Sequence, residues 1–335
     1  MKKMVLRQPA SIGALHCVDE ADPGAPGPGE IRVRLRACSL NFHDLAVVAG
    51  YLPAADGRIP LSDGAGHIEA VGPDVTDFAV GDLVLSCFFP DWQEGAPYVA
   101  DFSRTPGDGI DGYAREAVVA PAHWFTRAPA GYSAEDAASL PTAALTAWRA
   151  LVVNGGLKAG DTVLLLGTGG VSIFALQFAK AMGARVIITS SSDEKLARAR
   201  ALGADHGINY RQQENWAESV LALTGGRGAD HVVEVGGPGT LPLSIQSCRI
   251  GGHIALIGVL TGGAGEVPTA LLMARQQKLQ GLIVGSRRHQ LDMIRAIEAT
   301  GIKPVIETER GLEALPAAFG KMAGGQHFGK ITVTF

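Results

Sequence analysis

The sequence predicts an α/β fold in which a doubly wound parallel sheet is joined to a smaller, partly open β-barrel. From residue 162 onward, short apolar runs typical of buried strands alternate with segments of helical composition. Before about residue 125, short strands with alternating polarity are separated by proline and glycine turns. We expect residues 1–126 and 286–335 to form the barrel domain and residues 127–285 the parallel-sheet domain.

The parallel-sheet domain is predicted to begin with a strand, a glycine-rich turn and a helix. Val163–Leu166 is an apolar run, and an almost entirely apolar helix follows from Ile173 to Met182. Glycines let the backbone of such a turn approach a pyrophosphate, which the N–H groups of the helix start then face. The residues expected to bind it are Gly167, Thr168, Gly169, Gly170 and Val171. Because Ser172 replaces the third glycine of the Gly-x-Gly-x-x-Gly pattern, a nucleotide-free turn is the alternative.

A second strand and helix, over residues 185–190 and 193–202, follow at the spacing of a dinucleotide-binding unit. An acidic residue at the end of this strand would bind the ribose 2′-hydroxyl and select NAD, whereas a serine stands there. The residues expected around a 2′-phosphate are Ser190, Ser191, Lys195 and Tyr210. NADP is therefore favoured and NAD left open, and the serines are equally suited to capping the helix.

Two later strands end in glycines that permit close approach of the backbone. Gly236 follows the run HVVEV, and Gly258 with Val259 follows HIALI. We expect the nicotinamide half of the cofactor at these strand ends. Ordinary strand-ending turns are the alternative.

Composition excludes several classes of partner and site. The net charge of −4 gives no reason to expect nucleic acid or an anionic membrane. No apolar run approaches the ~18 residues of a membrane span, and no leader is recognisable, so we expect a cytoplasmic protein. Four cysteines lie far apart, which suggests neither disulfides nor a cysteine zinc cluster.

Residues 88–112 interrupt the barrel pattern with a long segment rich in proline, glycine, aspartate and aromatic residues. Such a loop is usually functional or disordered, and its aromatic content argues against disorder. Phe89 and Trp92 are candidates for contact with an apolar substrate. The alternative is that they pack the loop on the barrel.

The remaining elements are predicted from helical composition and short β-branched runs. Helical composition over residues 136–153 is interrupted by Pro141, which predicts two helices or a kink. A strand is expected over residues 278–284. The last elements are expected to be a helix at 290–300, a strand at 304–306, a helix at 312–322 and a strand at 330–335.

Taken in order, these segments resemble the medium-chain dehydrogenase/reductase superfamily over nearly the whole chain. The matching segments are GPGEIRVRLRACSLNFHDL, PLSDGAGHIEAVG, FAVGDLV, LPTAALTAW, DTVLLLGTGGVS, ALGADHGINY, VVEVGGPGT, IALIG and HFGKITVTF. The chain is most similar to the zinc-free branch, near the quinone oxidoreductases and zinc-type alcohol dehydrogenase-like proteins. The resemblance implies a GroES-like catalytic domain, a Rossmann domain and a homodimer formed through the strand at 278–284.

The positions that hold catalytic zinc in the zinc alcohol dehydrogenases carry other residues here. Asn41 stands in place of a cysteine, Ser62-Asp63 in place of a histidine and glutamate, and no cysteine occurs near residues 141–142. These side chains are poor zinc ligands, so we expect no zinc. A rebuilt metal site from His43, Asp44 and His67 is the alternative.

By the same resemblance, Asn41, Asp44 and Tyr51 line the catalytic cleft. Asn41 would donate its amide to a substrate oxygen or to the cofactor ribose, and Tyr51 would donate to a developing enolate. Asp44 would hold Asn41 or His43, or cap a short helix over residues 44–49. A polar cleft in which solvent supplies the proton is the alternative.

Alcohol oxidation without a metal needs another way to lower the pKa of the alcohol, and no Ser-x-x-x-Lys or Tyr-x-x-x-Lys pair in the barrel suggests one. Reduction of a quinone or a polarised C=C bond needs only hydrogen-bond donors at the oxygen. We therefore expect a zinc-independent, NADPH-dependent reductase of α,β-unsaturated carbonyl compounds or quinones. An alcohol dehydrogenase or carbonyl reductase of the same fold and a non-catalytic NADPH-binding sensor are the alternatives.

Overall fold

The structure is a computed structural model that describes residues 1–99 and 101–335. Its strands are β1 (Lys2–Leu6), β2 (Leu15–Asp19), β3 (Glu30–Ser39), β4 (Asp63–Val71), β5 (Leu83–Ser86), β6 (Ala117–Pro121), β7 (Phe125–Arg127), β8 (Thr162–Leu166), β9 (Arg185–Ser190), β10 (His206–Asn209), β11 (Ala229–Glu234), β12 (Cys248–Leu256), β13 (Lys278–Gly281), β14 (Ile306–Arg310) and β15 (Lys330–Thr334). Its α-helices are α1 (Phe42–Val48), α2 (Ala134–Ala138), α3 (Leu145–Trp148), α4 (Gly170–Ala181), α5 (Asp193–Ala201), α6 (Trp216–Leu223), α7 (Leu241–Ser247), α8 (Thr269–Ala274), α9 (Arg287–Thr300) and α10 (Leu315–Ala323). Among the described residues, none of these helices has the length and apolar character that a bilayer crossing requires.

The chain divides into two compact units. The first comprises Met1–Leu145 and Val284–Phe335, and the second comprises Thr146–Ile283. Residues 127–145, which we expected in the parallel-sheet domain, therefore belong to the first unit. The physical reason is that α2 packs on β3 and β4, while the Tyr132 hydroxyl donates to the Ile302 carbonyl at 2.5 Å.

The second unit is the predicted doubly wound parallel sheet. Its strand order is β10-β9-β8-β11-β12-β13, and every pairing is parallel. Counted from β8, this is the 3-2-1-4-5-6 order of dinucleotide-binding domains, in which the order reverses beside the first strand. All five residues of β8 are buried, as expected for a central strand covered on both faces. The predicted strand over 278–284 is shorter and ends at Gly281.

The first unit is built on a mostly antiparallel seven-stranded sheet with the order β14-β15-β3-β4-β5-β7, in which β6 also pairs with β3. This sheet corresponds to the predicted barrel, and it is open because β14 and β7 end it. Alternate residues of β3 (Ile31, Val33 and Leu35) are buried in an apolar core with Tyr113 and Phe125. This burial follows from the alternating pattern seen in the sequence.

The last strand returns to the middle of this sheet. β15 pairs antiparallel with β3, with Thr332 opposite Ser39, and parallel with β14. The register sets Lys330, at the start of β15, beside the chain that leaves β3 toward α1. The helix expected over 312–322 is a 3₁₀ turn at Leu312–Ala314 followed by α10.

Pro141 changes the type of helix rather than ending it. After α2, which Ser133 caps through the Asp136 N–H, the backbone widens into π-helical turns at Leu140–Ala144 and again at Arg149–Asn154. Proline lies at the start of the first wide turn, where its missing N–H removes no helical hydrogen bond. The predicted interruption thus takes the form of a change in helical winding.

Candidate functional site

Asn41 immediately precedes α1 and is fixed by Asp44. The Asn41 N–H donates to Asp44 Oδ2 at 2.9 Å, and the Ser62 N–H donates to Asp44 Oδ1 at 2.9 Å. Asp44 is buried, and burial raises the pKa of its carboxyl. The structure therefore combines two of the roles considered for Asp44, since it caps the helix and holds Asn41 in place. The helix begins at Phe42, two residues earlier than predicted.

Lys330 places a buried ammonium group against Asn41. Its Nζ donates to Asn41 Oδ1 at 2.6 Å and also to the Leu40 carbonyl, and only 3% of the residue is exposed. Asn41 Nδ2 in turn donates to Asp63 Oδ2 at 2.9 Å. Thr142 Oγ1 donates to the other oxygen of Asp63 at 2.7 Å. We call these four residues the Lys330 cluster.

The Asn41 amide is fully engaged within the Lys330 cluster. Its oxygen accepts from Lys330, and its nitrogen donates to Asp63 and, at 3.3 Å, to Ser62 Oγ. An amide has two N–H donors, so none is left for a substrate oxygen. The structure makes Asn41 a link between two charges, in contrast to the substrate contact that the resemblance implied.

The electrostatics of the Lys330 cluster are set by burial. Burial raises the pKa of Asp63 to about 6, against the opposing effect of the Lys330 charge. Burial likewise lowers the pKa of Lys330, which the carboxylates of Asp63 and Asp44 oppose. Each charge thus offsets part of the cost of burying the other.

The Lys330 cluster does not fit zinc. The three segments that resemble the zinc-ligand segments do meet here, because Asp63 accepts hydrogen bonds from both Asn41 and Thr142. Their donor set is an amide, a hydroxyl and one carboxylate, and an ammonium group is already bound among them. No group of three or more His, Cys, Asp or Glu side chains in the described part of the chain is arranged to hold a metal ion. The rebuilt set of His43, Asp44 and His67 is accordingly not assembled.

Among the described residues of the loop over 88–112, Phe88, Phe89 and Trp92 are buried in the first unit, whereas Tyr98 is exposed. Phe89 and Trp92, the predicted substrate contacts, are both buried, and the Trp92 ring lies 5.7 Å from that of His289. Their burial matches the packing alternative. Tyr51 follows α1 in a turn and is 83% exposed.

The same loop encloses Leu61, which is buried in a left-handed conformation with φ of 77°. A Cβ at Gly112 would lie 2.3 Å from the Leu61 carbonyl oxygen, and one at Gly107 would lie 2.8 Å from the Leu61 nitrogen. The Tyr113 N–H donates to the same carbonyl at 2.9 Å. Backbone strain of this kind persists only where the surroundings impose it. It directs the next residue, Ser62, toward Asp44.

The glycine turn of the second unit has the features of an anion site. Gly167 has φ of 74°, and its N–H donates to Thr189 Oγ1 at 3.3 Å. Gly169 is extended and precedes α4 without a side-chain cap, so the first N–H groups of that helix, those of Gly170 and Val171, have no intrahelical acceptor. Thr168, between the two glycines, is buried. The turn therefore fits the pyrophosphate of a dinucleotide.

At the end of β9, Ser190 and Tyr210 are neighbours. The Tyr210 N–H donates to the Ser190 carbonyl at 3.1 Å, and the Tyr210 side chain is exposed. Ser190 is buried, and its hydroxyl accepts from the Ser192 N–H at 3.2 Å. Ser192 caps α5 by accepting from the Lys195 N–H at 3.3 Å. Of the predicted phosphate ligands, Ser191 and Lys195 are half-buried, whereas the Ser190 hydroxyl has the local role considered as the alternative.

Two features of the second unit were missed in the sequence. The Asp193 carboxylate is bound by Asn209 Nδ2 at 2.8 Å and Gln212 Nε2 at 3.0 Å, beside the exposed Arg211. An acid is common in the first turn of any helix, so nothing in the local sequence indicates these partners. The other feature is the buried carboxylate of Glu234.

Glu234 organises the turn that contains Gly236. Its Oε1 accepts from the N–H groups of Gly236 at 2.7 Å and Gly237 at 3.0 Å and from Thr240 Oγ1 at 2.6 Å. A Cβ at Gly236 would lie 2.2 Å from Thr240 Oγ1, and one at Gly258 would lie 2.1 Å from the Val235 carbonyl oxygen. These glycines are thus required by the packing of the unit itself. Val259, beside them, is exposed.

Two family descriptions match the chain: "Alcohol dehydrogenase GroES-like domain" over residues 27–130 and "Zinc-binding dehydrogenase" over residues 170–299. A zinc-type alcohol dehydrogenase-like protein of Schizosaccharomyces pombe is 42% identical over 319 residues, which cover 93% of this chain and 92% of that protein. A 2-haloacrylate reductase of Burkholderia is 34% identical over 256 residues, which cover 74% of this chain and 71% of that protein.

Several solved structures are similar to this one over the whole chain. A Sinorhizobium meliloti protein with the provisional name of alcohol dehydrogenase has a TM-score of 0.93 at 42% identity, covering 100% of this chain and 98% of that one. A quinone oxidoreductase of Pseudomonas syringae has a TM-score of 0.83 at 29% identity, covering 100% and 99%. A mycobacterial protein solved with NADPH has a TM-score of 0.83 at 28% identity, covering 100% of both chains.

Proposed function

Because the chain belongs to the medium-chain dehydrogenase/reductase superfamily and is an NAD(P)H-dependent oxidoreductase, we propose a specific reaction for it. It is a zinc-independent, NADPH-dependent reductase of α,β-unsaturated carbonyl compounds or quinones. The observation that carries this proposal is the buried Lys330 ammonium, which is hydrogen-bonded to Asn41 among the residues that replace zinc ligands.

An ammonium group at this place disfavours a divalent cation by charge repulsion and by occupying the Asn41 oxygen. Alcohol oxidation then lacks a Lewis acid that would lower the pKa of the substrate hydroxyl. Reduction of a conjugated C=C bond or a quinone does not require a Lewis acid, because the carbonyl group already polarises the bonds that accept the hydride. The Lys330 cluster thus favours reduction over alcohol oxidation.

Bound NADPH would supply the hydride, and the second unit carries the residues to hold it. The residues assigned to the pyrophosphate are Gly167, Thr168, Gly169, Gly170 and Val171. The residues assigned to the 2′-phosphate are Ser191, Lys195, Tyr210 and Arg211, of which Arg211 is added from its exposed position next to Tyr210. Glu234 holds the turn at Gly236, which with Gly258 and Val259 is assigned to the nicotinamide half. The mycobacterial protein solved with NADPH supports this cofactor.

The substrate class is supported by the names of two similar proteins. A 2-haloacrylate carries a C=C bond conjugated to a carboxylate, and a quinone carries one conjugated to its carbonyl groups. In both, conjugation with the carboxylate or carbonyl group withdraws electrons from the C=C bond and allows it to be reduced by a hydride. We therefore assign the same electronic requirement to the substrate of this chain.

The test is NADPH oxidation by chelator-treated protein against quinones, enones and aldehydes, with zinc content measured on the same sample. We expect turnover of quinones or enones that is unaffected by chelation in protein with substoichiometric zinc. Activity that is lost with the chelator and restored by zinc would refute zinc independence. Oxidation of alcohols with NADP⁺ as the main activity would favour the alcohol dehydrogenase alternative, and cofactor binding without turnover would favour the sensor.

We also propose a homodimer formed through β13. This strand pairs only with β12 in the six-stranded sheet, so its other edge offers unpaired backbone groups over Lys278–Gly281. An antiparallel pairing across a two-fold axis would satisfy them. Light scattering on the purified chain should give twice the chain mass, and a monomer at all concentrations would contradict this assembly.

A further inference from the structure

His43 lies in the first turn of α1 but outside the Lys330 cluster. Its Nε2 is 3.0 Å from Asp108 Oδ2, and the two side chains are only 15% and 10% exposed. Asp108 comes from the long loop over residues 88–112. A titratable ring next to the Lys330 cluster is thus paired with a carboxylate that the loop supplies.

Aromatic side chains of the same loop fix the His43 ring. The ring centroid lies 4.4 Å from that of Phe102 and 5.4 Å from that of Phe88, in tilted and edge-to-face arrangements. Nε2 lies within ion-pair distance of the Asp108 carboxylate, but the contact lacks the alignment of a hydrogen bond. Asp108 and the two phenylalanines together give the ring one orientation and a counter-charge.

The other ring nitrogen is open. Nδ1 forms no hydrogen bond with a described residue and is not among the enclosed, unpartnered side-chain atoms. The remaining exposure of His43 therefore leaves Nδ1 able to meet water or a ligand. Nδ1 is therefore the ring nitrogen at which a ligand or water can form a hydrogen bond with His43.

Other proton donors of the first unit are less suitable. Asp44 is occupied by two backbone N–H groups, and Asp63 is completely buried and accepts from Asn41 and Thr142 in the Lys330 cluster. Lys330 is buried and donates to Asn41 and Leu40. Tyr51, the donor implied by the resemblance, is almost fully exposed on a turn.

We propose that His43 is the proton donor of the reduction and that Asp108 is its positioning residue, an inference that rests on the proposed function. Reduction of a carbonyl or conjugated C=C bond adds one hydride and one proton. The proton leaves His43 Nδ1, the N–H electron pair stays on the ring, and an O–H or C–H bond forms on the substrate. Water then reprotonates the neutral ring at its open side.

The proposal predicts different effects on different acceptors. An aldehyde or enone gains negative charge on an oxygen or carbon that must be protonated for the reaction to finish. A reduced quinone is a stabilised phenolate, which water protonates without help. Loss of His43 should therefore affect aldehydes and enones more than quinones, whereas a structural defect would affect all acceptors alike.

The experiment uses the full-length His43→Gln variant, with His67→Gln as the matched control because His67 is an exposed histidine on β4. We expect kcat for the best enone or aldehyde to fall about 100-fold in His43→Gln. The quinone rate should fall less, and NADPH affinity measured by fluorescence should not change. The solvent deuterium isotope effect on enone reduction should increase as water becomes the donor. His67→Gln should behave as the unmodified protein.

Asp108→Asn tests the positioning role. We expect a smaller loss of enone turnover that disappears in the His43→Gln background, because Asp108 acts only through the ring. Additive losses would overturn the pairing. His43→Asn provides a second variant if His43→Gln fails to fold, with circular dichroism and the unfolding temperature as the check.

The outcomes separate this inference from the proposed function. Unmodified protein that binds NADPH but reduces no acceptor would refute the proposed function. Unmodified protein that reduces enones, with His43→Gln retaining its rate and isotope effect, would refute only the role of His43. Reduction of quinones alone, unchanged in the variant, would also overturn that role.

Discussion

The Lys330 cluster of the first unit and the glycine turn of the second differ in the groups that they offer to a charge. The cluster uses side chains from distant parts of the chain: those of Asn41, Asp63 and Lys330 are buried, and that of Thr142 is half-buried. The turn uses backbone N–H groups of consecutive residues, and most of it is half-buried. Substitutions in a cluster of buried charged side chains are expected to destabilise the unit that contains it. Substitutions at a backbone site at a helix start are expected to change ligand affinity with little effect on stability.

The largest effect is expected for Lys330→Met, which tests whether the Lys330 cluster stabilises the first unit. The change leaves Asp63 and Asp44 buried without their cation and Asn41 Oδ1 without its donor. We expect a loss of about 3–5 kcal/mol in the free energy of unfolding, the cost of breaking a buried charge pair from one side. Denaturant unfolding monitored by circular dichroism measures it. Lys2→Met, at an exposed position in the same unit, should have little effect.

A double variant refines the prediction. Lys330→Met with Asp63→Asn removes both charges and should recover part of the lost stability. No recovery would mean that Lys330 acts through hydrogen bonds alone. Unchanged stability in the single variant would show that the buried ammonium is not held by the carboxylates.

The origin of the Lys330 cluster also explains why only part of it could be predicted. The resemblance identified the segments of Asn41, Asp63 and Thr142, but Lys330 was only part of a predicted closing strand. Its hydrogen bond to Asn41 spans 289 residues and depends on the pairing of β15 with β3. No local pattern encodes that register. The full engagement of the Asn41 amide could not be foreseen for the same reason.

The second unit has a buried titratable group of its own, His253, and no carboxylate among the described residues offsets its burial. Burial, together with the neighbouring His231 and Lys278, lowers the pKa of His253 to about 4 from 6.5. Between these values the unfolded chain binds more protons than the folded one. Stability is therefore complete above about pH 6.5 and falls as the pH decreases toward 4.

We expect His253 to contribute up to about 3 kcal/mol to this loss of stability. His253→Gln should remove that part of the dependence, seen as a flatter plot of unfolding free energy between pH 4 and 6.5. An equally steep plot in the variant would assign the dependence to other groups. Together with the Lys330 variants, this measurement compares a buried base that has no counter-charge, His253, with one that has carboxylates beside it, Lys330.

For the glycine turn, the contrasting expectation is a loss of binding without a loss of stability. Gly170→Glu puts a negative charge in the first turn of α4, which the helix dipole favours and a pyrophosphate opposes. We expect about a 10-fold or greater loss of NADPH affinity, measured by fluorescence titration, with an unchanged or slightly higher unfolding temperature. Ala181→Glu, at the exposed far end of the same helix, is the matched control. Equal affinities in the two variants would remove the turn from the cofactor site.

The turn and its sheet could be predicted because their signals are local. A buried strand, glycines and an apolar helix occur within consecutive residues, and the strand order then follows the pattern of doubly wound sheets. The loop over residues 88–112 lacks such a signal. Its aromatic residues indicated order, but the burial of Phe89 and Trp92 and the strain at Leu61 depend on contacts with residues far along the chain.

The smallest expected effect concerns the choice of cofactor. Lys195 lies in the first turn of α5, close to Ser190 to Ser192, where the sequence lacks the acid that would select NAD. We expect Lys195→Ala to weaken NADPH binding about 10-fold, the worth of one partly exposed charged contact with a phosphate. NADH, which has no 2′-phosphate, should bind as before.

Arg211→Ala should show the same selectivity, since Arg211 is exposed beside Tyr210. Titration of each variant with both cofactors gives the answer, and equal losses for NADPH and NADH would place the substituted side chain outside the phosphate site. A loss for NADPH alone would show that exposed side chains beside the glycine turn determine which cofactor the second unit binds. We expect these side chains to be replaceable without loss of stability, whereas the charges of the Lys330 cluster are not.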